Sequence, residues 1–284
     1  MMIIGIIGLG LIGGSISLKL KESNFGNRFI GTDENEKNAM NAIKLGIIDE
    51  VLPIDELIMQ SSVIILSIPV DGIEKLLPNI LTNIKSDTVI LDTGSTKFNI
   101  CNSVFFHPKR SRFVATHPIA GIETSGPISA NSSIFNKKNC VLCDSEHSDP
   151  DAISITEKIY SIMKMRIIYL TSKEHDFYIS YGSHLPHVVS FSLANSIFDK
   201  KDKKKMFDMM GSGWESTTRL AKSKSETWVP IFLSNRENLI KSIEVYMNYL
   251  KKFQILLKKN KLNCIDQYIK TANDMIKKSK IYIN

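Results

Sequence analysis

One short stretch, Gly8-Leu9-Gly10-Leu11-Ile12-Gly13-Gly14-Ser15, limits what this chain can fold into more than any other. It comes directly after the apolar run Met2-Ile3-Ile4-Gly5-Ile6-Ile7 and leads into a helical spacing of Ile16, Leu18 and Leu20. Strand, glycine turn and helix in that order make the G-x-G-x-x-G arrangement that seats a dinucleotide. One glycine makes the turn, one lets backbone approach a pyrophosphate, and one lets helix pack on strand. The free N–H groups at the helix N-terminus then face the phosphates. Gly8, Gly10, Leu11, Ile12 and Gly13 are therefore candidate cofactor contacts. The same string also occurs in ordinary loops, so its meaning depends on the residues downstream of it.

Residues 28–33 read as a second strand ending in an acid, Asp33, 25 positions beyond Gly8. A carboxylate there accepts hydrogen bonds from the adenosine ribose and repels a 2′-phosphate, so Asp33, with Glu34 and Glu36 beside it, predicts NAD over NADP. The competing reading makes Asp33 a cap for the helix expected over 35–45. A short segment at 50–52 precedes the unbroken run Val63-Ile64-Ile65-Leu66-Ser67-Ile68, stopped by Pro69. Such a run implies a parallel strand covered on both faces. A helix over 72–81 and strands over 88–92 and 113–116 come next, and closing strands over 139–142 and 166–170 flank a helix starting after Pro150.

That alternation predicts an α/β Rossmann-type doubly wound sheet. Ligands bind beyond the carboxyl ends of such strands, so the loops at 8–13, 67–69, 93–95 and 117–123 are expected to open on one crevice. Ser67 and Pro69 join the cofactor candidates. From Lys173 onward the period is helical, which predicts an all-α C-terminal domain. The expected division is 1–171 for cofactor binding and 172–284 for substrate binding and dimerisation. Leu239, Ile243, Tyr246, Leu250, Phe253 and Leu257 stripe one long helix, either as core within the chain or as a dimer seam.

A chain of 284 residues with 43% hydrophobic content can build a substantial core. No apolar run reaches membrane-spanning length and the first strand begins at Met2, which predicts a cytoplasmic protein with no leader and no membrane partner. The net charge of +7 is a tail property, because residues 251–284 hold nine lysines and two aspartates. Those lysines lie among helix-period apolar residues without arginine or glycine, which reads as a solvated helix face and not a nucleic-acid surface. The cluster Lys200-Lys201-Asp202-Lys203-Lys204-Lys205 reads as an exposed inter-helix loop. Of four cysteines, only Cys140 and Cys143 are close, with no second pair or histidines at zinc spacing. Buried thiols in a reducing compartment, and no metal, are expected.

Three constellations carry chemistry: His117-Pro118-Ile119-Ala120-Gly121-Ile122-Glu123, Ser183-His184-Leu185-Pro186-His187, and Trp214-Glu215-Ser216-Thr217-Thr218-Arg219-Leu220-Ala221. A histidine at a strand end in the crevice is a candidate general base, since imidazole titrates near working pH. His184 and His187, three apart, share a helix face, and spacing lets either reach the crevice.

In this order the chain resembles the prephenate and arogenate (cyclohexadienyl) dehydrogenases of tyrosine biosynthesis. Their Gly-x-Gly-Leu-Ile-Gly-Gly-Ser, Asp-x-Gly-Ser-x-Lys, His-Pro-x-Ala-Gly, Ser-His-Leu-Pro-His and late Thr-Arg-x-Ala patterns recur between Ile4 and about Leu257. The resemblance implies an NAD-dependent oxidoreductase that decarboxylates prephenate to 4-hydroxyphenylpyruvate, with arogenate giving tyrosine as the alternative. It implies His117 as the base, Ser95 orienting the hydroxyl and the imidazole, and Arg219 clamping the side-chain carboxylate through a planar bidentate donor. His187, Glu123 and Trp228 would contact substrate, His184 would be structural, and the helical domain would make a homodimer.

Two positions depart from the family. Glu215-Ser216 stand where an Arg-Asp pair is common, so an ion pair fixing Arg219 through that acid is absent or replaced, and Ile122 replaces a small polar residue. An end near 284 leaves no room for a mutase or regulatory domain, so feedback by tyrosine is not expected. Two other readings are a β-hydroxyacid dehydrogenase relative, which would need a helix lysine where Ser183 to His187 stand, and a non-catalytic NAD-binding module using its basic tail to hold a partner.

Overall fold

The computed structural model describes residues 1–122, 124–197 and 202–283. The first part of the chain runs β1 (Ile3–Ile7), α1 (Leu11–Glu22), β2 (Arg28–Thr32), α2 (Glu36–Lys44), β3 (Glu50–Val51), α3 (Ile54–Gln60) and β4 (Val63–Leu66). It continues through α4 (Val70–Asn83), β5 (Val89–Asp92), α5 (Phe98–Ser103), β6 (Phe113–Pro118), β7 (Asn139–Cys143), α6 (Pro150–Ile162) and β8 (Arg166–Leu170). Among the described residues the strands form one sheet in the order β3-β2-β1-β4-β5-β6-β7-β8.

Successive strand side chains point to opposite faces, and here both faces are covered. Ile4, Ile6, Val63, Ile65, Val89 and Leu91 enter one core, while Ile7, Ile64, Leu66 and Ile90 enter the other. This explains why β4 reads as an unbroken apolar run. Strands β3 through β6 are parallel neighbours, so β1, β2, β4, β5 and β6 end on the same edge. The doubly wound sheet ends in an antiparallel step: β7 runs antiparallel to β6, with His117 opposite Val141, and β8 pairs parallel with β7.

The second part is helical: α7 (Ser172–Ile179), a π-helical turn at Ser180–His184, α8 (Leu185–Asn195), α9 (Lys203–Asp208), α10 (Ser212–Thr218), a 3-10 turn at Arg219–Lys222, α11 (Ser225–Ser234), α12 (Arg236–Lys258) and α13 (Leu262–Ile283). Several local features differ from the sequence reading. α3 and α5 are short helices in stretches to which the sequence reading assigned no element. Pro69 is the N-cap of α4 as well as the end of the preceding run, because its fixed φ suits a helix start. Lys203 to Lys205 lie in α9 and not in a loop, while Lys200 and Lys201 lie outside the described residues.

Residues 1–236 and 237–284 form two compact units. In the second, the Phe253 and Tyr268 rings pack 5.3 Å apart, while Leu250, Leu257, Leu262, Ile269, Met275 and Ile276 are exposed. No helix among the described residues is long and apolar enough to cross a membrane.

Candidate active site

The glycines after β1 shape a cradle. Gly8 holds φ +97°, and a Cβ there would overlap the Ser67 carbonyl. A Cβ on Gly13 would overlap the carbonyl oxygen of Gly8, whereas the space around Gly10 is open. Gly10 is the N-cap of α1 and no side chain caps that end, so the N–H groups at Leu11 and Ile12 lack intrahelical partners. Asp33, at the end of β2, accepts from the Leu9 N–H at 2.8 Å through Oδ2, and from the Asn35 N–H at 2.9 Å through Oδ1.

Asn35, and not Asp33, caps α2 by accepting from the Lys37 N–H. Asp33 is thus tied to the glycine loop. Ser67 takes a hydrogen bond from the Thr93 hydroxyl at 3.2 Å, and Pro69 is exposed beside it at the start of α4. An open glycine, an uncapped helix end and a fixed acid on one strand edge suit a dinucleotide.

Farther along the same edge lies His117, only 7% exposed. Its Nδ1 is 2.8 Å from Nε2 of His175, and Nδ1 of His175 is 2.8 Å from Oδ1 of Asp176. Asp176 also accepts the backbone N–H groups of Lys97 at 2.8 Å and Phe98 at 3.0 Å. Burial, helped by neighbouring His175, Lys97 and His184, holds the His117 imidazole well below its ordinary pKa. A neutral ring is therefore available as a base across the neutral range.

Lys97 is fully buried. Its ammonium pairs with Asp92 and donates to the Thr116 carbonyl at 2.8 Å, while Asp92 accepts from the Thr116 N–H at 3.0 Å and the Gly94 N–H at 2.9 Å. This clasp joins the end of β5 to β6 and sets the turn bearing Ser95. Ser95 is half-buried, and the ring nitrogen of His117 that faces the protein is held by His175 instead of the Ser95 hydroxyl.

The same network reaches the helices. Asn235 donates to the Asp176 carbonyl at 2.7 Å and to Nδ1 of His184 at 3.1 Å. His184 is fully buried, and burial pushes its pKa down to about 4. His187 bonds the Ser183 carbonyl through Nδ1 at 2.9 Å and stacks on Trp228, with ring centroids 3.4 Å apart; burial lowers its pKa too. Trp228 also faces the edge of His184 at 6.0 Å.

Arg219 is exposed and opens the 3-10 turn that packs on α8, the helix of His187. Glu215 and Ser216 are exposed on α10. Glu123 lies outside the described residues, and Ile122 is 49% exposed. Cys101, Cys140 and Cys143 are buried free thiols, whereas Cys264 is exposed on α13, against the expectation of burial. No group of three metal-ligating side chains occurs among the described residues.

Lys97 appeared in a recognisable turn motif, but His175 and Asp176 did not stand out in the sequence. Their one local signal is a capping box, Thr171 with Glu174, which fixes a helix start just before them.

Known proteins similar to this chain point one way. The family model described as prephenate dehydrogenase, nucleotide-binding domain, matches residues 16–169, and that described as prephenate dehydrogenase, dimerization domain, matches 171–275. The chain is 28% identical to a prephenate dehydrogenase of Bacillus subtilis, over 94% of this chain and 73% of that protein. It is 27% identical to a cyclohexadienyl dehydrogenase of Zymomonas mobilis, over 88% and 87%. A crystal structure of prephenate dehydrogenase from A. aeolicus, in complex with hydroxyphenyl propionate and NAD+, superposes with a TM-score of 0.89 at 28% identity, over 99% of this chain and 98% of that one.

Proposed function

We propose, since this chain belongs to the prephenate dehydrogenase family, that it oxidises prephenate with NAD to 4-hydroxyphenylpyruvate and carbon dioxide in tyrosine biosynthesis. The observation that carries this reading is a buried, neutral His117 on the strand edge that also bears the glycine cradle. Gly8, Gly10, Leu11, Ile12, Gly13, Asp33, Ser67 and Pro69 would hold NAD. When bound, NAD supplies the acceptor for the hydride lost from the carbinol carbon.

The His117 imidazole takes the hydroxyl proton as that carbon is oxidised. The ring carboxylate then leaves as carbon dioxide, and its bonding pair runs through the ring to the carbonyl oxygen. His117 returns the proton to that oxygen, now phenolic, so no net proton is consumed. Ser95 orients the hydroxyl from the adjacent turn. Arg219 grips the side-chain carboxylate, and His187 with its stacked Trp228 walls the substrate.

In this reading residues 1–171 hold the cofactor and 172–284 serve substrate binding and a homodimer, which the dimerization-domain match supports. Free thiols at all four cysteines fit a reducing cytoplasm.

The test is NADH formation with prephenate and with arogenate, each with NAD and NADP. Prephenate with NAD should give the highest kcat/KM; a preference for arogenate would replace the substrate. His117→Asn should lower kcat about 10²-fold or more, the usual scale for a general base, with NAD affinity unchanged. Undiminished turnover in that variant would remove His117 from the chemistry.

A further inference from the structure

The geometry points to a tautomer relay behind the base: Asp176, acting through His175, keeps the proton of His117 on Nδ1 and leaves Nε2 bare toward the crevice. This deepens the reading above and rests on it for the role of His117.

Asp176 sets the direction of the relay. Its two oxygens take the N–H groups of Lys97 and Phe98 at 2.8 and 3.0 Å, so the carboxylate acts as an acceptor. The nitrogen facing it, Nδ1 of His175 at 2.8 Å, must then be the donor. Taken with the single proton that Nδ1 donates, the His175 ring presents a lone pair at Nε2. That lone pair faces Nδ1 of His117 at 2.8 Å, and two lone pairs cannot meet at that distance. His117 therefore donates from Nδ1, and its Nε2 has no proton.

The remaining ring nitrogen, Nε2, is the one left to take a proton. Nε2 of His117 is not among the sealed polar atoms of the described residues, unlike Nε2 of His184, which is buried without a partner. The nearby positive charge, the Lys97 ammonium, is neutralised by Asp92. When Nε2 takes a proton, the new imidazolium still donates to His175, and the Asp176 carboxylate balances it across the relay. His175 and Asp176 touch neither substrate nor cofactor; they are positioning residues. Asn235 holds the Asp176 main chain, so Asp176 is fixed through both its side chain and its carbonyl.

The direct test is nitrogen NMR on the full-length protein labelled with ¹⁵N-histidine, with NAD present, near pH 7.5. His117 signals are identified by their loss in His117→Asn. The relay requires a protonated Nδ1 and an unprotonated Nε2 on both His117 and His175; a proton on Nε2 of His117 overturns it. Kinetics gives a second readout. His175→Phe, which removes the acceptor but keeps the volume, should lower kcat about 10²-fold with the KM for prephenate and NAD affinity unchanged.

His175→Gln, which can still accept from Nδ1 of His117, should recover most of that loss. Full activity in His175→Phe, or no difference between the two variants, overturns the relay. If His175→Phe does not fold, the wild-type tautomer decides alone. If wild-type protein forms no NADH from prephenate or arogenate, the proposed reaction falls, while the NMR result still decides the relay.

Discussion

Arginine suits the place given to Arg219, because a planar, permanently charged fork matches a carboxylate through two parallel hydrogen bonds where lysine offers a point charge. Arg219 stands exposed at the start of a 3-10 turn that packs on α8. Arg219→Gln should raise KM for prephenate on the order of tenfold or more, with a smaller effect on kcat, in steady-state assays; a loss confined to kcat would contradict the clamp. At this scale much of the candidate site is legible in the sequence. Gly8, Gly13, Asp33 and His117 are residue types whose chemistry declares itself once their spacing to a strand is known. His175 and Asp176 could not be read that way. A histidine and an aspartate in the first turns of a helix are ordinary, and only the folded chain carries them 58 and 79 positions back to His117 and Lys97.

That return is the work of elements. Because β7 runs antiparallel to β6 and β8 runs beside β7, β8 ends at Leu170 level with Cys143 and Ala115, and α7 then carries His175 to His117 and Asp176 to the Lys97 turn. Helix and strand periods announce each element but not its neighbour, so the parallel core was legible while the reversed pair was not. The short helices α3 and α5 were missed for a related reason, since six or seven residues carry too little periodicity to separate a helix from a loop.

Two element contacts give sharp expectations. Gly13→Ala would push a methyl into the Gly8 carbonyl and separate α1 from β1. Titration should show NAD affinity falling on the order of tenfold, the factor that about 1.4 kcal/mol of misfit produces; an unchanged Kd would mean that the cradle adapts. Lys97→Met would strand a buried Asp92 carboxylate between β5 and β6. The expected cost is about 3–5 kcal/mol, as for other broken buried pairs, read as a lowered urea midpoint. A shift below about 1 kcal/mol, well under that range, would show that Asp92 finds other partners.

At the scale of the whole molecule, the buried histidines link acidity to stability. His184, held down to about 4, and His117, also lowered, bind protons in the unfolded chain before they do so in the folded one. Their stabilisation is therefore complete above about pH 6.5 and is lost as pH falls through the folded values. His184 alone should remove about 2 kcal/mol between about pH 7 and pH 5. Urea midpoints across that window measure it, above the range where carboxylates titrate, and a flat profile would contradict the burial of these rings.

The main chain of Lys97 hangs from Asp176 while its ammonium is sunk between Asp92 and Thr116. The His117 ring, proposed as the proton acceptor, is thus tethered through His175 and Asp176 to the buried end of β5 and not to a surface loop. On heating, loosening of that ring is expected to accompany loss of the sheet, as in one cooperative unit.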